Sequence, residues 1–98
     1  MNILKEQNGN ELTIRLEGRL DTSTSPQLEE ELKSALDGIS VLNFDLGALE
    51  YISSAGLRVL LSAQKVMNKQ GSMVVRGANE DIMEIFDVTG FSDILTIE

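Results

Sequence analysis

From Glu11 to Glu17 the chain alternates polar and apolar residues, with Leu12, Ile14 and Leu16 on one side. A period of two marks a half-buried strand. Residues 2–6 give a weaker strand pattern ahead of it, and Asn8-Gly9-Asn10 supplies the turn residues of a hairpin. At Thr22-Ser23-Thr24-Ser25-Pro26 the period changes, and Leu28, Leu32, Ala35 and Leu36 recur at helical spacing as far as Asp37-Gly38. A hydroxyl residue ahead of a Pro starts a helix and a left-handed Gly ends one, which predicts a helix over residues 25–37. Residues 41–46, Val-Leu-Asn-Phe-Asp-Leu, are mostly apolar and suit a central strand covered on both faces. Leu57, Leu60, Leu61, Val66 and Met67 then predict a helix over residues 54–69, closed by Gln70-Gly71. Residues 73–75 read as a short apolar strand, and Asn79 caps a third helix with Ile82, Ile85 and Phe86 inward and Thr89-Gly90 at its end. Residues 94–97 read as a last edge strand.

The resulting order is β-β-α-β-α-β-α-β. It predicts an α/β (α+β) sandwich: a mixed sheet opened by a hairpin, with parallel inner strands, right-handed crossovers and helices covering it. At 98 residues the chain is expected to form one domain over residues 1–98.

Composition removes several function classes. With no Cys and no His, the chain has no thiol nucleophile, no disulfide, no usual metal ligand set and no Ser-His-Asp triad. The excess of sixteen Asp and Glu over eight Lys and Arg gives a net charge of −8, which repels phosphate backbones and anionic leaflets. Neither nucleic acid nor a membrane is therefore expected as a direct partner. One Tyr, three Phe and no Trp also leave little for base stacking. The start, Met-Asn-Ile-Leu-Lys-Glu, lacks the blocks of a signal peptide, so a cytoplasmic location is expected. There is no Gly-x-x-x-x-Gly-Lys loop and no carboxylate spacing that suits Ca²⁺. No cofactor, no metal site and no enzymatic activity are expected.

The segment Tyr51-Ile52-Ser53-Ser54-Ala55-Gly56-Leu57 joins a strand to a helix. In open sheets such turns lie at the carboxyl ends of strands, where these folds place their sites. Ser54 stands in the position expected of an N-cap, with small neighbours at Ala55 and Gly56 that open the backbone to close approach. A catalytic role for Ser54 fails: Ile52 stands where a nucleophile elbow has Gly, and no adjacent base exists. A phosphate on Ser54 is chemically apt. Helix N-termini accept anions, so the local fold would tolerate it while an apolar or acidic partner surface would not. Asp21-Thr22-Ser23-Thr24-Ser25 reads either as a polar loop and cap or as a recognition rim beside Ser54. Asp45 reads as a loop cap or a site carboxylate. Glu80, Asp81, Glu84 and Asp87 read as a solvated face or the acidic side of an interface. Met67, Met73 and Met83 read as core filler.

Ile52-Ser53-Ser54-Ala55-Gly56-Leu57-Arg58-Val59-Leu60-Leu61 closely resembles the signature of the anti-sigma factor antagonist family, whose members are single STAS domains. Gly18-Arg19-Leu20-Asp21, Leu42-Asn43-Phe44-Asp45-Leu46 and Val88-Thr89-Gly90-Phe91 resemble further pieces of that family in the same order. The resemblance implies a STAS-like fold and a partner switch. In that family the unphosphorylated protein binds an anti-sigma factor that is also a serine kinase of the histidine-kinase-like ATPase type. Phosphorylation dissolves the complex, and a PP2C-type phosphatase restores it. The modified Ser of the family's Asp-Ser-x-Gly maps onto Ser54, with Ser53 as second choice because a Ser replaces the Asp there. The family's Gly-x-Leu-Asp carboxylate maps onto Asp21. The partner-binding residues so implied are Asp21, Thr22, Ser23, Thr24, Ser53, Ala55, Gly56 and Leu57. The alternative is a STAS subunit docked permanently in a larger complex, such as a transport ATPase or a stress-signalling assembly.

Overall fold

In the computed structural model, which describes all 98 residues, β1 (Asn2–Asn8) and β2 (Glu11–Leu20) form the expected hairpin, with Asn8 opposite Glu11. β2 pairs in parallel with β3 (Val41–Ile52), and β3 in parallel with β4 (Ser72–Arg76), giving the sheet order β1-β2-β3-β4. The register lines up two apolar rows across three strands, Leu12-Leu42-Met73 and Ile14-Phe44-Val75. Helices α1 (Ser25–Ala35), α2 (Ser54–Gln70) and α3 (Glu80–Thr89) lay Leu28 and Leu32, Leu60 and Met67, and Ile82 and Phe86 into the same core. That core is one cluster of 23 buried residues. At about 1.5–3 kcal/mol per fully buried large apolar side chain, its burial is the main stabilising term. No helix is long and apolar enough to cross a membrane.

Three expectations need correction. First, β3 is twice its predicted length of six residues, reaching Ile52 rather than Leu46. It pairs with β2 across two register shifts, each adding one residue to β3, between the Arg15–Asp45 and Glu17–Ala48 pairs and between the Gly18–Leu49 and Arg19–Tyr51 pairs. Each extra residue breaks the period of two, so the extension carries no strand pattern. Second, β3 is covered by helices on one face only. Leu42, Phe44 and Leu46 face the core, while Asn43 and Asp45 alternate onto the other side with Thr13 and Arg15. Asn43 is buried there among strand side chains and donates to Glu11 Oε2 at 2.8 Å. Third, residues 94–97 form no strand. A 3₁₀ turn over Phe91–Asp93 takes up the chain through Leu95, whose N–H bonds to the Phe91 carbonyl at 2.8 Å. What remains is one parallel bridge, Val75 to Ile97, with Val75 N donating to Thr96 O and Glu98 N to Val75 O, both at 2.9 Å.

Asp45 acts as a local cap. Its Oδ1 accepts from Gly47 N at 2.9 Å, and Arg15 stands 3.8 Å from its Oδ2. Met67 and Met73 are buried and Met83 packs against the core.

Candidate functional site

β2 and β3 end side by side, Leu20 beside Ile52, and Ser53 N donates to Leu20 O at 2.9 Å. This pairing sets the loop that follows β2 next to the first turn of α2. The cap of α2 is Ser53, not Ser54: its backbone is extended (φ −101°, ψ 175°) and its Oγ accepts from Gly56 N at 3.4 Å. Ser54 is the first helical residue and is exposed, while Ser53 is half-buried. The hydroxyl that sequence reasoning favoured as a cap therefore performs no capping, and its claim to modification rests on accessibility instead. Because the Ser53 bond is long, Ser53→Ala is expected to cost only about 0.5–1 kcal/mol. For a chain of this size that lowers the melting temperature by about 2–8 °C, which calorimetry resolves.

The neighbouring loop is organised by Asp21. Its Oδ1 accepts from Ser23 Oγ at 2.8 Å, Ser23 N at 3.0 Å and Thr24 N at 3.1 Å. Thr24 Oγ1 accepts from Asp21 N at 2.9 Å and donates to Arg19 O at 2.8 Å, which leaves it unable to cap α1. Ser25, buried, donates through its hydroxyl to Asp21 O. The Ser23 hydroxyl, with smaller help from the Thr24 and Ser23 N–H groups, outweighs desolvation and holds the Asp21 carboxyl below its ordinary pKa. A depressed folded pKa stabilises the protein fully above the unfolded value, and that contribution disappears as pH falls through the folded value. Asp21→Asn is therefore expected to flatten the acid limb of a plot of melting temperature against pH below about pH 4. An unchanged acid limb would show that the carboxylate's bonds do not order this loop.

Thr22 and Ser23 are exposed and Thr24 is half-buried. Two of the other residues expected to bind a partner are buried. Gly56 is buried, and a Cβ there would stand 2.7 Å from Leu20 Cγ and 2.9 Å from Ile52 Cγ1. Its missing side chain seats α2 on the two strand ends rather than admitting a partner. Leu57 is 5% exposed and belongs to the core, so it offers no surface contact. Ala55 is half-buried and remains at the rim.

Arg58, beside Leu57, faces outward instead. It is exposed, one turn beyond Ser54, and with Thr22, Ser25, Glu29, Ala55 and Ser62 it lines a cleft of about 310 Å³ between α1 and α2. The i, i+4 spacing of Ser54 and Arg58 along α2 sets the two on the same side of the helix. Arg19 and Tyr51 adjoin the Asp21 loop from neighbouring strands. The Arg19 guanidinium lies 4.4 Å from the centre of the Tyr51 ring, and its Nε is 3.8 Å from Asp21 Oδ2.

The site thus offers an exposed hydroxyl at a helix N-terminus, an ordered acidic loop beside it and a cation one turn away. No side chain hydrogen-bonds to the Ser54 hydroxyl, and no group of three or more Asp or Glu side chains is placed to hold a metal.

Comparison with known proteins identifies the family and the fold. The family model for the STAS domain matches residues 2–98. The anti-sigma-B factor antagonist of Bacillus subtilis is 31% identical over 98 residues, covering 99% of this chain and 90% of the relative. Among solved structures, an anti-sigma factor antagonist from Mycobacterium paratuberculosis superposes with a TM-score of 0.88 at 23% identity, covering 98% of this chain and 83% of the other. The Bacillus cell fate determinant SpoIIAA in its phosphorylated form superposes with a TM-score of 0.77 at 16% identity, covering 99% and 91%. These two likenesses establish a shared fold. Taken with the full-length family match and the B. subtilis relative, they place this chain in the anti-sigma factor antagonist family of STAS domains.

Proposed function

We propose that the chain is an anti-sigma factor antagonist that works as a phosphorylation-controlled switch in the cytoplasm. Unmodified, it binds an anti-sigma factor that is also a serine kinase of the histidine-kinase-like ATPase type. Phosphate on Ser54 releases it, and a PP2C-type phosphatase resets it. The observation that carries this reading is the exposed Ser54 at the first position of a 17-residue helix, beside the Asp21 loop. A phosphate there meets the free N–H groups of the first turn and the positive end of the helix dipole, with Arg58 on the same face. The chain's own fold can hold the added charge. A partner packed on that surface must accommodate both its bulk and about −1.5 to −2 units of charge, and so lets go. Ser53 is the poorer acceptor because its oxygen is half-buried and engaged as the cap.

Phosphopeptide mapping of the protein from its own cells, before and after stress, tests this. Residues 34–58 leave trypsin as one peptide holding Ser34, Ser40, Ser53 and Ser54, so fragment ions must place the group. The expected result is phosphate on Ser54 in a fraction that changes with condition. Phosphate on Ser53 keeps the mechanism and moves the site. Phosphate absent under every condition sinks the switch.

A further inference from the structure

A second surface lies beyond Tyr51. Helix α3 carries Glu80, Asp81, Glu84 and Asp87 and no Lys or Arg. Between it and the end of β3, Tyr51, Ile85, Val88, Asp81 and Glu84 line a shallow cleft of about 440 Å³. Val88 is 76% exposed and Tyr51 38%, although Ile82 and Phe86 of the same helix are fully buried. A single exposed Val needs no explanation. Here three apolar side chains share one cleft with carboxylates at its edge, which is the anatomy of an interface: apolar centre, charged rim.

This cleft is joined to the Ser54 surface. Arg19 stacks on Tyr51 at 4.4 Å and reaches Asp21 at 3.8 Å, so one side chain ties the cleft's aromatic wall to the acidic loop. The rim charge also selects the occupant. A second copy of this chain, at −8, would bring like charge against Asp81 and Glu84.

We propose that the cleft is a second docking surface for the anti-sigma partner, taking an apolar side chain flanked by Lys or Arg. The proposal rests on the reading of function given above, and it adds a contact remote from the modified hydroxyl. Acidic rim residues speed the encounter with a basic surface, and the apolar centre slows its dissociation.

The test uses the full chain and its purified anti-sigma kinase. A photoreactive residue placed at position 88, where the side chain is already in solvent, is expected to crosslink to the kinase. Asp81→Lys with Glu84→Lys is expected to slow association about tenfold at low salt, with the difference shrinking as salt is raised. Val88→Ser, which removes nothing from the core, is expected to raise the dissociation rate about fivefold. If the native chain binds and is released by phosphate on Ser54, but these variants behave like it and position 88 gives no crosslink, the cleft is overturned and the switch stands. Crosslinking to a second copy of the chain also overturns it. If the native chain does not bind the kinase at all, the reading of function falls and the cleft falls with it.

Discussion

Ser54→Asp is expected to weaken binding to the anti-sigma kinase about 100-fold, or about 2.8 kcal/mol, while leaving the fold intact. The two halves of that statement have separate causes. A carboxylate at the first helical position sits at the positive end of the α2 dipole, an interaction that by itself favours the helix by about 0.3–1 kcal/mol. The melting temperature should hold or rise slightly. The cost appears only when a partner closes over the site and the charge must give up its water. Ser54→Ala is expected to bind like the native chain and to resist release by kinase and ATP, because the helix keeps its Ser53 cap. Titration calorimetry on the three proteins decides the matter. If Ser54→Asp binds as tightly as the native chain, release is not electrostatic.

The second large effect concerns stability. Gly71 closes α2 and leads directly into β4, and a Cβ there would lie 1.8 Å from Ser40 O and 2.8 Å from Ser40 Cα. That carbonyl accepts from Ser72 N at 2.9 Å, just ahead of the first β3–β4 pair, Val41 with Ser72. A crowded side chain can turn aside, but a carbonyl held in the strand approach cannot. Gly71→Ala must therefore shift backbone and is expected to cost about 3 kcal/mol, lowering the melting temperature by roughly 12–24 °C. A drop under 3 °C in scanning calorimetry would mean that the turn yields more easily than its contacts suggest. The expected loss exceeds that for Ser53→Ala because a cap bond has water as a substitute, whereas overlapping atoms have none.

What was legible in the sequence followed from regular periodicity. The alternation at Leu12, Ile14 and Leu16 and the helical spacing of Leu57, Leu60 and Met67 each point to one buried face, and those faces meet in the core, whereas Val66 of the same run is 40% exposed and Leu61 half-buried. The second half of β3 was hidden because its two extra residues scramble the period while backbone pairing continues. At the site, the residue motif located the correct turn. It could not tell which of two adjacent hydroxyls bends outward, since that depends on where the extended backbone of Ser53 gives way to the helix. Gly56 and Leu57 looked available because the motif is read along the chain, whereas their exposure is decided by Leu20 and Ile52 beneath them. Arg19 on Tyr51 pairs two strands across 32 positions, and no local pattern announces such a contact.

That stacked pair has a practical side. Tyr51 is the chain's sole tyrosine, and there is no tryptophan. Near-ultraviolet absorption and intrinsic emission above the phenylalanine band therefore arise from one ring, half in solvent, with a guanidinium over its face and Ser53 two residues along the chain. The protein carries a built-in optical reporter beside the Asp21 loop. Tyrosine emission can follow partner capture and release in real time against a tryptophan-free background from this chain, with no label added.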